Sequence, residues 1–181
     1  LQAALISQHL EPTQAWSQFQ TGQGSEWTAE WNPATGTPKA VYGPGLKLGQ
    51  AVKSVAAART QSTNLLNQFA ALLGRGSSSF VETIGIKANQ TYIFVYDQSY
   101  RNLPVISGRA DVRIHEVGTV AMFGSSSVHI PNGFDIKPGI TALEAQAIAH
   151  QHVLGSQQAG ERAALPQLVV WADTTSKLRT T

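Results

Sequence analysis

Cysteine is absent from the 181 residues, which removes disulfides, thiolate-bound zinc, iron–sulfur clusters and any thiol nucleophile at once. Charge is scarce too: Asp, Glu, Lys and Arg make up only 13% of the chain, roughly half the usual share. Hydrophobic residues reach 42%, so the low charge does not describe a disordered chain, which needs the opposite balance. Long apolar runs are missing, and nothing approaches the roughly 18 residues of a membrane-spanning helix. Thirteen basic against eleven acidic residues leave a formal charge of +2 with no dense Lys/Arg block, so nucleic acid is not an expected partner. The first residue is Leu1, and no basic n-region precedes an apolar stretch. The low Lys and Glu content, with abundant Gln, Ser, Thr, Asn and Gly, predicts an exported chain, with any signal peptide no longer part of it.

What is present divides into three stretches. Residues 1–45 are rich in Gln, Gly, Thr and Trp. There, weak alternation over Glu26–Asn32, a turn at Asn32–Pro38 and a second extended run at Lys39–Tyr42 predict a β-hairpin. Trp27 and Trp31, four apart, are expected to share a strand face, either as a carbohydrate-stacking pair or as cover for a small core. Gly43-Pro44-Gly45 punctuates the chain. Leu48, Val52, Val55, Leu66, Phe69 and Leu73 then follow helical steps, with a break expected near Arg59–Thr63 and a glycine stop at Gly74 and Gly76.

From Phe80 the period changes to two. Tyr92, Phe94, Tyr96, Gln98 and Tyr100 fall on one face of a strand, and Ala110, Val112 and Ile114 alternate with a wet face. Thr119–Phe123 completes an antiparallel meander. Thr141 and Glu144 form a capping box ahead of an apolar stripe of Leu143, Ala147 and Ile148, expected to run to about Leu154 with Gly155 just beyond. Leu168–Trp171 reads as a further strand. The fold class that results is α+β, a helix packed on an antiparallel meander in the cystatin-like manner. That helix-plus-sheet unit occurs twice, after an N-terminal β-hairpin extension.

No catalytic constellation emerges. His115-Glu116-Val117-Gly118-Thr119 starts like a zinc-protease signature but ends in Thr rather than His, on a strand and turn rather than a helix. His150 and His152 diverge by about 200° on a helix, so they cannot chelate one ion, and His9 and His129 lie elsewhere in the chain. Gly124-Ser125-Ser126-Ser127 lacks the spacing of a nucleophile elbow. Gly74-Arg75-Gly76 lacks the Lys and helix of a phosphate loop. The chain is expected to be non-enzymatic, with no metal and no cofactor.

The run from Thr91 to Val105 resembles the motif of the FTP domain, the fungalysin/thermolysin propeptide. That motif is a strand ending in Gln-x-Tyr, a short polar turn, then Pro-Val opening the next strand. Gln98, Tyr100, Pro104 and Val105 stand in step with it, followed by Gly108, while Asn102 occupies the turn place usually held by Gly. Pro138–Ala145 resembles the start of the PepSY domain that follows FTP in such pro-regions, and Leu168–Trp171 resembles its next strand.

The resemblance implies an FTP-like domain at 46–136 and a PepSY-like domain at 137–181 that is C-terminally incomplete, ending at Lys177–Thr181 with the Leu168–Trp171 strand left with a free edge. It also implies that the chain is the pro-region of a secreted zinc metalloprotease, acting as inhibitor and intramolecular chaperone. Its partner is then the cognate catalytic domain, met through Gln98, Tyr100, Asn102 and Pro104. The alternative role for these four is to stabilise the hairpin. Two other readings remain: a free-standing FTP/PepSY module of an exported surface protein, and a sugar or wall binder that works through the Trp hairpin.

Overall fold

Period-two alternation from Phe80 to Phe123 yields four successive strands: β3 (Ser79–Ala88), β4 (Thr91–Tyr100), β5 (Leu103–His115) and β6 (Thr119–Ser125). The structure, a computed structural model, describes residues 2–153, 166–172 and 178–180. Preceding the meander are the helix α1 (Gln2–Gln23), the strands β1 (Thr28–Trp31) and β2 (Pro38–Lys47), and the helix α2 (Val55–Gln68). All these strands join one antiparallel sheet in the order β1-β2-β6-β5-β4-β3. The expected hairpin is therefore present, and it extends this same sheet through β2 pairing with β6.

A single inward row shows what holds the sheet. Val41 pairs with Phe123, Phe123 with Val112 and Val112 with Phe94, and all four are fully buried. Burying each such side chain contributes about 1.5–3 kcal/mol. Above the row sit Ala58, Leu65 and Leu66 of α2, and Phe19 of α1. Phe19 packs on Trp27, Phe69 and Phe123 with ring centroids 5.3, 5.2 and 5.8 Å away, and Trp16 meets Trp31 edge-on at 6.3 Å. A sugar-stacking platform needs open rings, whereas Trp27 is 3% exposed. Trp27 therefore serves the core, while half-buried Trp31 packs against Trp16.

Four local expectations are corrected. α1 was not foreseen: its inward stripe of Pro12, Ala15, Trp16 and Phe19 is short and begins at a proline. The helix expected from Leu48 starts only at Val55, because Ser54 caps it by accepting from the Ala57 amide at 3.1 Å. Leu48 and Val52 instead donate their backbone N–H groups to Gly118 and Glu116, so this stretch is an extended crossing. No break occurs at Arg59–Thr63. Ser62 is buried but accepts the Tyr96 hydroxyl at 2.8 Å, and Arg59 makes two bonds to the Glu82 carboxylate. Gly43-Pro44-Gly45 lies inside β2 rather than ending it, at a bulge where a Cβ on Gly43 would stand 2.8 Å from the Trp27 ring.

The C-terminal part repeats helix then strands. In the α3 (Ala142–Val153) capping box, Glu144 accepts the Thr141 amide at 2.7 Å and Thr141 accepts the Glu144 amide at 3.2 Å. Leu154 and Gly155, expected at its end, lie outside the described residues. Its apolar stripe finds no cover among the described residues, with Leu143 75% and Ile148 46% exposed. The predicted strand at Leu168–Trp171 appears as β7 (Val170–Ala172), which lies parallel to β5 at Val105. The edge expected to be free is occupied by β8 (Leu178–Thr180), antiparallel to β7.

Candidate functional site

The end of the β4–β5 hairpin gathers the motif residues. Tyr100 pairs with Leu103 across a two-residue turn in which Arg101 and Asn102 both have left-handed backbone, at φ 49° and 67°. Two consecutive positive φ values match the right-handed twist of the flanking strands. Asn tolerates this region; Arg does so at a cost, partly offset as its guanidinium lies 5.4 Å over the Tyr100 ring.

Behind the turn, Gln98 is fully buried. Its Nε2 donates to the Val128 carbonyl at 2.7 Å and to Ser78 Oγ at 3.0 Å, while its Oε1 accepts the Val128 amide at 2.8 Å. The side-chain amide thus takes the place of a neighbouring strand's backbone, and both its amide hydrogens are used. This clamp needs Gly108. A Cβ there would come within 2.3 Å of Gln98 Oε1 and 2.6 Å of its Cβ.

The register shows how the clamp is accommodated. Asp97 pairs with Arg109 and Ser99 with Pro104, so β5 carries three more residues than β4 over this stretch. The extra residues swing outward, with Ser107 at φ 66°, and bring Val105 beside Val170 of β7. Tyr100, Val105, Ile130 and Val170 then form a second small core, with Leu103, Val128, Phe134 and Ile136 packed around it. Phe134 meets Tyr100 edge-on at 6.2 Å.

The sequence-predicted site residues therefore separate. Gln98 and Tyr100 are interior and build the hairpin end, Pro104 is half-buried, and Asn102 is exposed. Three further exposed residues complete the outer surface here: Arg101 at the turn, Ile106 (42%) and Trp171 (49%). Ile106 and Trp171 each follow a residue of the Val105–Val170 pair, and so point away from the small core. In sequence, a large apolar residue one place out of step with Val105 was the available signal for Ile106. Nothing placed Trp171 beside it, because the β5–β7 pairing spans a long stretch of chain. The arrangement can offer a partner a rigid edge of apolar and hydrogen-bonding groups. Among the described residues it offers no acid–base pair.

Among the described residues, no group of three or more His, Asp or Glu is placed to hold a metal ion, and no helix is long and apolar enough to cross a membrane. Compared by sequence, the chain matches no protein-family model and no curated protein. Among solved structures it is similar to the Bacillus megaterium YpeB C-terminal domain, at 12% identity and a TM-score of 0.43, over 93% of this chain and 82% of that one.

Proposed function

We propose that this chain is the pro-region of a secreted zinc metalloprotease of the fungalysin/thermolysin type, itself non-catalytic, which inhibits the catalytic domain and templates its folding. One observation supports the reading. Of the residues that resemble the FTP motif, Gln98, Tyr100, Val105 and Gly108 lock the hairpin end to Val128, Phe134 and Val170, while Pro104 is half-buried beside the turn. What remains outside is a preorganised surface of Arg101, Asn102, Ile106 and Trp171. Preorganisation favours tight association, because little ordering remains to be done on binding.

The chemistry of the chain constrains how inhibition works. Without cysteine, no thiolate can cap the zinc of the protease. Occlusion remains: the hairpin end covers the cleft and excludes substrate, with Trp171 and Ile106 supplying buried area and Asn102 and Arg101 supplying hydrogen bonds. The test is to mix the purified chain with the mature catalytic domain encoded in the same genome and follow peptide hydrolysis and complex formation. Slower hydrolysis with a one-to-one complex supports the reading. Unchanged hydrolysis with no complex refutes it.

A further inference from the structure

Among the described residues, four other than glycine have positive φ, and three of them stand at the end of the β4–β5 hairpin: Arg101, Asn102 and Ser107, at 49°, 67° and 66°. The fourth, Asn89, lies in the turn between β3 and β4 at 52°. Asn enters the left-handed region readily, whereas the Cβ of Arg or Ser crowds the following carbonyl oxygen there. Such strain persists only where the surrounding structure enforces it, and it gathers at binding sites.

The bulge enforces it at Ser107. Val105 is tied to Val170 on one side and Gly108 packs on Gln98 on the other. The two residues between them, Ile106 and Ser107, are exposed and take up the outward swing of β5. Glycine would meet the backbone requirement without strain. Serine stands there instead, and its hydroxyl has no hydrogen-bond partner among the described residues. The side chain thus strains the backbone and makes no bond within the described chain that offsets the strain.

We infer that Ser107 is a further contact residue of the hairpin end, its hydroxyl hydrogen-bonding a polar group of the catalytic domain beside the contacts of Arg101, Ile106 and Trp171. This rests on the function proposed above and adds a residue to that surface. A hydroxyl donates one bond and accepts two, so it serves either a backbone N–H or a C=O of the partner. Ile106 next to it, 42% exposed, supplies the apolar area that shields the bond. The left-handed backbone at Ser107 then sets stability against binding: glycine there relaxes the free chain and removes the contact.

The test takes two readings on the full chain: its melting midpoint alone, and its affinity for the mature catalytic domain by titration calorimetry. Ser107→Gly is expected to raise the midpoint and to weaken binding about fivefold, the worth of one neutral hydrogen bond. Ser107→Ala keeps the strain and loses the hydroxyl, so it is expected to leave the midpoint unchanged and to weaken binding by a similar factor. Ser107→Asn tolerates the left-handed region and keeps a hydrogen-bonding tip. It is expected to raise the midpoint and to bind more tightly than the alanine variant. Wild-type affinity in both the Gly and Ala variants overturns the inference alone, as does a Ser107→Gly midpoint at or below that of the wild type. A wild-type chain that forms no complex overturns the proposed function, and this inference with it.

Discussion

Gln98 and Val128, 30 residues apart, are joined by two hydrogen bonds that use both ends of one side-chain amide against one residue's backbone. Gln98 is fully buried and Val128 half-buried, so the two bonds are partly shielded from water. Replacing Gln98 with Leu leaves the Val128 N–H and C=O without partners. At about 1–3 kcal/mol for each unsatisfied buried group, Gln98→Leu is expected to cost roughly 2–4 kcal/mol. Urea denaturation measures it; a loss under about 0.5 kcal/mol, the range of ordinary surface changes, contradicts the clamp.

Gly108→Ala is expected to cost about 1–3 kcal/mol, since its Cβ would enter the space of the Gln98 side chain. Because both changes dismantle the same clamp, the double variant with Gln98→Leu is expected to lose less than the sum of the two single losses. Full additivity in a double-mutant cycle contradicts the contact.

The meander was legible in the sequence because its two faces differ. Tyr92, Phe94 and Tyr96 stand inward, and strands that bury one face must alternate. Gln98 on that same apolar face was itself a signal, since a buried amide must find partners. Its partner was not legible: Val128 lies in irregular chain beyond β6, where no periodicity marks a contact. α1 was hidden for a different reason. Its stripe converges on an aromatic cluster assembled from α1, β6, the loop before β1 and the turn after α2, so the helix owes its place to tertiary packing rather than to local pattern.

Asn102 separates building from contact. At φ 67°, Asn102→Gly is expected to keep or slightly raise stability, while Asn102→Ala, with a Cβ and no polar tip in the left-handed region, is expected to cost about 1 kcal/mol. Thermal melts check both. Stability equal in the Gly and Ala variants contradicts the left-handed turn.

The α3 cap carries a pH signature. Hydrogen bonds from the Thr141 amide and hydroxyl hold the Glu144 carboxyl below its ordinary range. A depressed carboxyl contributes stability that is fully present above its unfolded pKa and lost as the pH falls through the folded one. Helicity of the wild-type chain is thus expected to exceed that of Glu144→Gln near neutrality, and the difference to shrink below about pH 4. A difference that is constant with pH, read by circular dichroism, contradicts the charged cap.

Inhibition in trans tests the central claim most directly. The chain is titrated into the mature zinc protease at two salt concentrations, alongside Asn102→Gly and Trp171→Ser variants shown to be folded. The account predicts micromolar or tighter inhibition, equivalent to about 8 kcal/mol, weakened at least tenfold by Trp171→Ser and measurably by Asn102→Gly. A net charge of +2 predicts little change with salt. No inhibition at about 100 µM of folded chain, an affinity below roughly 5.5 kcal/mol, or full inhibition by both variants, contradicts the hairpin end as the surface that closes the cleft.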